Sequence, residues 1–600
     1  MSALLELWRL LSPQQRRGVL ACQAIAVAMA LFTVTGIASI APFFAALGDP
    51  QATNRNRSLH WLYVQGGFAS QRDFAVALGL AFVAMVLISN LVNAFGTVAM
   101  NRLALRIGSE LQAALFGEYL TRSYEFHIAS SSGTLVNNIL HETTRVTDGI
   151  LQNGIALLTN LAAGSFIVAS VLWLDARVAA AMLIALAAGY ALIYLRARGR
   201  LLRLGQAHSR AWHDRARIVN ESFGAIRDVL LMPDPGVVRQ AFDDACRDVS
   251  QTAANIHLAG QIPRQAMEIV ALASLVGMLL LADAFDAGIG PWLGRLTFVA
   301  FAAYRLLPIL QQIFAASVRM RADSAALMAI APALRGAGTR RARSAAWATA
   351  ADCGWRQRPR EEIRLEQLSY RYTAERPCVL DRVNLRIPAH AVIGLVGANG
   401  SGKTTLMDLI AGLLVPTAGT VRVDGIALDQ TNRAAWRSQI AYVPQNVFLL
   451  DASIEHNIAF GLASGAIDRA RLEQAVRLAQ LEELVACQPR GYAQVIGERG
   501  IALSGGQRQR VGIARALYKQ ASLLLLDEAL SALDGMTEGQ LMAALESLRG
   551  RCTMVLIAHS ASMVRRCDRI IQLEGGRIGA AGTYEELARR SAPFRRTIGS

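Results

Sequence analysis

One uncharged stretch near the start of the chain constrains its fold more than any other feature. Residues 18–47 contain no charged side chain. Because a helix rises by about 1.5 Å per residue, this stretch is long enough to cross a hydrocarbon core of about 30 Å. Further apolar segments follow, approximately at residues 74–98, 155–174, 178–195, 266–282 and 296–314. The pattern predicts an all-α membrane domain of six spans, with both ends on the same side of the bilayer.

The charges are distributed as a membrane domain requires. Charged residues make up 18% of the chain, below the share of about 25% that is usual in soluble proteins. Arginine is frequent at residues 196–264, where the positive-inside rule favours a cytoplasmic segment. The polar segments before the third and fifth spans keep helical periodicity and are expected to project into the cytoplasm. Because the arginines do not gather on one face with aromatic residues, the net charge of +16 does not indicate nucleic-acid binding.

The character of the chain changes after residue 334. Residues 335–361 are rich in Gly, Ala, Ser and Arg and lack periodicity, which is typical of a linker. Beyond them, strand-like apolar runs at residues 392–396, 523–526 and 553–557 alternate with helical patterns, which predicts a largely parallel sheet. We therefore expect a transmembrane domain at residues 1–334, a linker at 335–361 and a cytosolic α/β P-loop domain at 362–600.

A phosphate-binding loop follows the first of these strands. Residues 397–405 read GANGSGKTT, which contains the full G-x-x-x-x-G-K-[ST] pattern in its required place between a strand and a helix. The backbone N–H groups converge on phosphate oxygens, Lys403 reaches the β- and γ-phosphates, and the Thr404 hydroxyl binds Mg²⁺. Lys403 is also one of very few lysines in an arginine-rich chain, which supports the motif. The residues predicted to bind ATP in this loop are Gly397, Asn399, Gly400, Ser401, Gly402, Lys403, Thr404 and Thr405.

Two adjacent carboxylates end the second strand-like run. Residues 523–528 read LLLLDE, so that Asp527 and Glu528 follow a buried strand. Asp527 is placed to hold Mg²⁺, and Glu528 to polarise the water that attacks the γ-phosphate. Acidic pairs also cap strands without any catalytic role, but downstream of a phosphate loop this pair predicts ATP hydrolysis.

Residues 503–507 read LSGGQ, which resembles the signature of ATP-binding cassette (ABC) ATPases. Six spans followed by such a cassette resemble a half-size ABC exporter of the lipid-flippase and multidrug type over essentially the whole chain. In that family the signature of one copy meets the ATP held by the other copy. The resemblance therefore implies a homodimer with two composite ATP sites. The residues that it places at the ATP of the partner are Ser504, Gly505, Gly506 and Gln507.

The same resemblance implies roles for further residues. Tyr372, in SYRY, matches the aromatic residue on which adenine stacks, and Gln445, in YVPQ, matches a catalytic glutamine that senses Mg²⁺ and faces the membrane domain. His559, in IAHS, matches the catalytic histidine that contacts the γ-phosphate. Asp534, ending SALD, matches a dimer contact, and Glu498, in GERG, matches the loop that couples the cassette to the cytoplasmic helices of the partner.

The substrate has to be inferred from ionisable residues at span level. Arg264 and Glu268 lie one helical turn apart at the start of the fifth span, and Arg305 lies inside the sixth. An arginine in a span is costly unless it faces a partner or an aqueous cavity, so structural ion pairs and contact with an anionic head group both remain open. The patterns PRxxxE at residues 263–268 and YRLLP at 304–308 resemble the bacterial flippases of lipid-linked oligosaccharides. In that resemblance Arg264 and Arg305 receive the pyrophosphate.

These observations combine into one expected function. The chain is expected to be an ATP- and Mg²⁺-dependent translocase that flips a polyprenyl-pyrophosphate glycan or related glycolipid across the bacterial inner membrane, with its ATPase domain in the cytoplasm. Export of peptides, lipid A-like lipids or hydrophobic drugs remains the alternative, and an exporter of peptides or amphipathic drugs would need no paired arginines in the cavity. A soluble ABC protein conflicts with the six spans.

Overall fold

Long helices make up the first of two structural units in the computed structural model. The model describes residues 2–39, 57–68, 70–174, 176–284, 289–349, 359–530, 535–558 and 560–598. Unit one comprises Met1–Arg122 and Ser130–Arg340, and unit two comprises Ser123–Ala129 and Arg341–Ser600. The helices up to residue 349 are α1 Ser2–Leu10, α2 Pro13–Ala38, α3 Arg57–Gln65, α4 Gln71–Leu120, α5 Tyr124–Ala129, α6 Ser132–Asn137, α7 Thr143–Arg145, α8 Asn153–Leu174, α9 Ala176–Gly224, α10 Ile226–Leu231, α11 Gly236–Ala284 and α12 Ile289–Thr349.

Several helices are much longer than a bilayer is thick. The 50 residues of α4 give a length of about 75 Å, so most of this helix must extend beyond the hydrocarbon core. Within the described residues, three helical stretches are long and apolar enough to cross a membrane, namely Pro13–Thr33, Arg72–Leu120 and Ser132–Ala169. The predicted fourth, fifth and sixth spans lie in α9, α11 and α12, where many side chains are outside the described part. The all-α character of this half is confirmed.

The last of these helices reaches into the segment that composition assigned to the linker. Helix α12 continues to Thr349, whereas the sequence predicts irregular structure from residue 335. Alanine and arginine have high intrinsic helix propensity, so α12 can continue through this segment although it has no apolar face. Residues 350–358 of the predicted linker lie outside the described residues.

Three helical segments of unit one pack very closely around Asp323 of α12. A Cβ atom at Gly205 of α9 would lie 1.9 Å from the carbonyl oxygen of Ala322, and one at Gly149 would lie 2.0 Å from Oδ2 of Asp323. Gly149 belongs to the second of two π-helical turns, Asn138–Glu142 and Val146–Gln152, which flank α7. Arg145 on α7 forms ion pairs with Glu142 at 3.0 Å and with Asp323 at 2.8 Å. Close backbone approach and buried charge pairs thus fix these segments against one another.

Unit two contains two sheets. The strands are β1 Glu362–Tyr370, β2 Leu380–Pro388, β3 Val392–Gly397, β4 Ala418–Val423, β5 Ile426–Ala427, β6 Ile440–Val443, β7 Leu523–Asp527, β8 Thr553–Ile557, β9 Arg569–Glu574 and β10 Arg577–Gly582. The larger sheet has six strands in the order β10-β9-β3-β8-β7-β6, and the smaller has four in the order β2-β1-β4-β5. All neighbours in the larger sheet pair in parallel except β9 and β10. The predicted α/β class and the three predicted strands are confirmed.

Helices cover the central strands, whose side chains are buried throughout. Because both faces of a parallel sheet are covered, such strands are apolar along their whole length rather than alternating. The helices of this part are α13 Lys403–Ile410, α14 Arg433–Ser438, α15 Ile454–Ile458, α16 Arg469–Leu478, α17 Glu482–Ala486, α18 Gly505–Tyr518, α19 Gly535–Glu546, α20 Ala561–Val564, α21 Tyr584–Arg590 and α22 Ala592–Ile598.

Candidate active site

The phosphate loop connects the end of β3 to the start of α13. Gly400 and Gly402 have φ values of +79° and +98°, a region that other residues rarely adopt. The Nζ atom of Lys403 donates to the carbonyl oxygens of Gly397 at 2.8 Å and Ala398 at 3.1 Å. Burial lowers the pKa of Lys403, and the charges of Glu528 and Asp527 oppose that shift. The Lys403 ammonium group thus lies against backbone carbonyl oxygens of the loop, and phosphate oxygens could replace these contacts.

Thr404 and Asp527 lie near each other, as two ligands of one metal ion should. The buried Asp527 ends β7, and its carboxylate accepts a hydrogen bond from the Tyr442 hydroxyl at 3.0 Å. Burial raises the pKa of Asp527, while the hydroxyls of Tyr442 and Thr404 oppose the rise. A hydroxyl and a carboxylate are hard oxygen ligands of the kind that Mg²⁺ takes together with water and substrate phosphates. The residues present therefore fit the expected Mg²⁺ ion.

Gln445 and Glu528 are joined across the end of the sheet. The Nε2 atom of Gln445 donates to Oε2 of Glu528 at 2.7 Å. Glu528 has a φ of +49°, an uncommon conformation for a residue with a side chain that costs of order 1–3 kcal/mol. The turn directs the carboxylates of Asp527 and Glu528 to different partners. This arrangement fits the separate roles that were predicted for them.

Tyr372 stands beside the phosphate loop with part of its ring uncovered. Its hydroxyl lies 3.0 Å from Oγ1 of Thr405, and its ring meets that of Tyr370 edge-on with the centroids 5.0 Å apart. The side chain retains 39% exposure, which leaves room for a base to stack on it. Adenine binding by Tyr372 stays a prediction.

The signature residues form an exposed helix start. Ser504 caps α18, since its side chain accepts from the backbone N–H of Gln507 at 3.2 Å, and Oε1 of Gln507 accepts from the N–H of Ser504 at 2.8 Å. Ser504 and Gly505 are exposed. Among the hydrogen bonds of the described residues, none joins this segment to residues 397–405 of the same chain. A free helix N-terminus of this length can bind an anion that is held elsewhere.

Only some of the remaining predicted site residues lie in the described part of the chain. Asp534 and His559 lie outside the described residues, and so does the side chain of Arg305. Glu498 is exposed and begins a short 3₁₀ turn. Nε of Arg264 lies 2.8 Å from Oε1 of Glu268, so the ion pair that was one of the two alternatives for Arg264 is present.

Two contacts in unit two were not anticipated from sequence. Tyr442, three residues before Gln445, binds Asp527 with 3.0 Å between its hydroxyl and Oδ2. The short helix α5 belongs to unit two, and Oε1 of Glu125 accepts from the backbone N–H of Val415 at 3.3 Å. The polar tyrosine on an otherwise apolar strand was the available signal for the first contact. Nothing local distinguished Glu125 from other exposed acids.

Family profiles match both parts of the chain. The profile described as the ABC transporter transmembrane region matches residues 18–285, and the profile described as ABC transporter matches residues 380–531. Among solved structures, a bacterial Atm1-family ABC exporter with ATP bound covers 97% of both chains with a TM-score of 0.76 and 22% identity. At that identity the likeness shows the fold.

Curated relatives extend the similarity over most of the chain. The protein of Burkholderia orbicola described as an ATP-dependent lipid A-core flippase is 30% identical over 523 residues, covering 86% of this chain and 85% of the relative. The protein of Cupriavidus pinatubonensis with the same description is 43% identical over 232 residues, covering 38% and 39% of the two chains. Because these matches include a membrane region and an ATPase region fused in one polypeptide, the chain belongs to the ABC transporter family and is a half-size exporter with an ATP-hydrolysing cassette.

Proposed function

We propose that this half-size exporter is an ATP-driven flippase for a phosphorylated glycolipid of the lipid A-core type. The observation that carries the proposal is the similarity to lipid A-core flippases over 86% of the chain, because that length must include most of the membrane domain. The expected polyprenyl-pyrophosphate glycan has weaker support. It rests on two short sequence patterns and on Arg264, which pairs with Glu268.

Arginine at span level is compatible with either glycolipid. Both lipids carry phosphate groups, and guanidinium groups bind phosphate oxygens in a bidentate manner. The Arg264 side chain is 56% exposed and that of Glu268 is 42% exposed in the single chain, so neither is enclosed by its own protomer. We propose that Arg264 and Arg305 contact the phosphates of the lipid during translocation.

The proposed working state is a homodimer in the bacterial inner membrane, with the ATPase domains in the cytoplasm. Two exposed features of the single chain support it. Ser504 and Gly505 form an exposed helix start that makes no hydrogen bond to the phosphate loop of its own chain in the described residues, and the proposal assigns it to the ATP of the second copy. Leu230 and Leu231 of α10 are 73% and 82% exposed, and apolar side chains so uncovered favour burial against a second copy.

In the proposed hydrolysis of ATP, each side chain of the site has its own task. Lys403 exchanges its carbonyl contacts for phosphate oxygens, and Glu528 polarises the attacking water while Gln445 orients the Glu528 carboxylate. Mg²⁺, held by Thr404, Asp527 and Gln445, would neutralise the charge that develops on the phosphates. We propose that Ser504 of the second copy completes each site, together with His559, and that Asp534 contacts the partner.

The decisive test is reconstitution of the full chain in liposomes that contain either labelled lipid A-core or a labelled polyprenyl-pyrophosphate glycan. We expect ATP to move lipid A-core to the far leaflet and the Glu528→Gln variant to move neither lipid. Movement of only the polyprenyl glycan would replace the proposed substrate with the alternative one. If a peptide or drug were the only cargo moved, the flippase proposal would fail.

A further inference from the structure

The strand that precedes Gln445 carries a tyrosine with no assigned role. Tyr442 lies on β6, paired in parallel with β7 so that it stands opposite Leu525. Its hydroxyl lies 3.0 Å from Oδ2 of Asp527. We propose that Tyr442 is a positioning residue, which holds the Asp527 carboxylate in the orientation that binds Mg²⁺. This inference rests on the proposed role of Asp527 as the metal-binding carboxylate.

The direction of this hydrogen bond is fixed by chemistry. The Tyr442 hydroxyl donates and the Asp527 carboxylate accepts, because an ionised carboxylate has no proton to donate. The ring of Tyr442 packs against a buried apolar cluster of unit two, which restricts the positions that the hydroxyl can take.

Asp527 needs such a donor because its side chain is buried, with an exposed fraction of only 7%. Hydrogen bonds from fixed donors favour the ionised form of a buried carboxylate.

Tyr442 and Thr404 have different relations to Asp527. The Thr404 hydroxyl is itself expected to bind Mg²⁺, whereas the Tyr442 hydroxyl donates to the carboxylate at 3.0 Å. Tyr442 is not an expected ligand, and its hydrogen bond can persist in the metal-bound site. Partners of this kind, which orient a ligand without touching the metal, typically change metal affinity 10- to 100-fold when removed.

The same short segment also reaches the second acid of the pair. Gln445 donates to Glu528 at 2.7 Å, whereas Tyr442 donates to Asp527 at 3.0 Å. Residues 442–445 thus hold both carboxylates at the end of β7 through separate hydrogen bonds. Removal of the Tyr442 hydroxyl should therefore disturb the metal site and leave the contact between Gln445 and Glu528 intact.

The experiment replaces Tyr442 by Phe in the full chain, held in lipid nanodiscs, and titrates Mn²⁺ as a paramagnetic substitute for Mg²⁺ in the presence of a non-hydrolysable ATP analogue. We expect the half-saturating Mn²⁺ concentration, followed by electron paramagnetic resonance, to rise about 10-fold or more. Binding of the analogue in EDTA should not change. The ATPase of the variant should recover at high Mg²⁺, with a raised half-saturation for the metal and a nearly normal kcat.

Tyr518→Phe is the matched control. The Tyr518 hydroxyl accepts from the backbone N–H of Asp468 at 2.9 Å, so this change also removes one buried tyrosine hydrogen bond from unit two. We expect the control to bind Mn²⁺ like the parent protein. Equal thermal unfolding midpoints of the two variants would confirm that Tyr442→Phe folds.

Asp527→Asn separates this inference from the proposal on which it rests. If Asp527→Asn weakens Mn²⁺ binding and Tyr442→Phe binds Mn²⁺ like the parent protein, the positioning role of Tyr442 is overturned and Asp527 keeps its proposed role. If neither change affects Mn²⁺ binding, both are overturned. Weakening by both changes, with analogue binding in EDTA preserved, supports the inference.

Discussion

Single residues at the site adopt backbone conformations that the rest of the unit must hold in place. Gly402 has a φ of +98°, and a Cβ atom there would lie 2.8 Å from Cδ2 of Leu380. Glu528 has a φ of +49° although it carries a side chain. The hydrogen bond from Gln445 and the buried strand before Asp527 stabilise that turn. If Glu528 is the general base that we propose, a carboxylate held this way needs little reorganisation to act on the attacking water.

The role of Glu528 leads to a direct expectation at this scale. Glu528→Gln retains an oxygen that can accept from Gln445, so the turn and ATP binding should survive. Hydrolysis should fall about 10²- to 10⁴-fold, because an amide cannot act as the general base. Phosphate release and retention of radiolabelled ATP measure the two effects. Normal turnover in this variant would remove Glu528 from the mechanism.

Among the elements, the packing of α9 against α12 tolerates the least change. A Cβ atom at Gly205 would meet the backbone of Ala322 at 1.9 Å, and backbone atoms cannot move aside as a flexible side chain can. Nearby, Arg145 is 8% exposed and pairs with both Glu142 and Asp323. Removal of one partner from a buried ion pair is costly because a charge is left without compensation. This part of unit one should therefore behave as a rigid block.

Gly205→Ala tests that rigidity, and Gly199→Ala is its control on the same helix. We expect Gly205→Ala to lower the free energy of unfolding by about 1–3 kcal/mol, since overpacking forces the helices apart. A Cβ atom at Gly199 meets nothing within 4 Å, so the control should gain about 0.5–1 kcal/mol through higher helix propensity. Thermal unfolding of both variants in nanodiscs is the measurement. Equal midpoints would contradict the close packing.

The short helix α5 belongs to unit two, although the chain before and after it belongs to unit one. Glu125 accepts a hydrogen bond from the N–H of Val415. We expect Glu125→Ala to retain most ATP hydrolysis and to lose most lipid transport per ATP, because the chain on both sides of α5 leads to the membrane helices. Ile128→Ala, at a side chain that is 49% exposed, is the control. Parallel loss of both activities would instead indicate damage to the cassette.

For the whole molecule, the proposed composite site requires two copies. The test uses two variants of the chain, both of which carry Glu528→Gln. One also carries Lys403→Ala in the phosphate loop, and the other also carries Ser504→Arg in the signature. A dimer of either variant alone should retain no occluded ATP, since each of its sites lacks either an intact phosphate loop or an intact signature. Mixed dimers, purified through two different tags, should retain ATP at the single site formed by an intact loop and an intact signature. Absence of retained ATP in these dimers would contradict the composite site.

The sequence by itself determined the features that depend on neighbouring residues. Residues 18–47 are uncharged over a length that can cross a membrane, GANGSGKTT has the pattern of a loop whose own backbone binds phosphates, and LLLLDE ends a buried strand in two acids. Only the tertiary structure decided which distant groups meet. Tyr442 reaches Asp527 because β6 and β7 pair in one register, and Arg145 reaches Asp323 because glycines at positions 149 and 205 allow α12 to approach. Strand register and helix approach depend on many weak contacts between remote segments, which no local pattern contains.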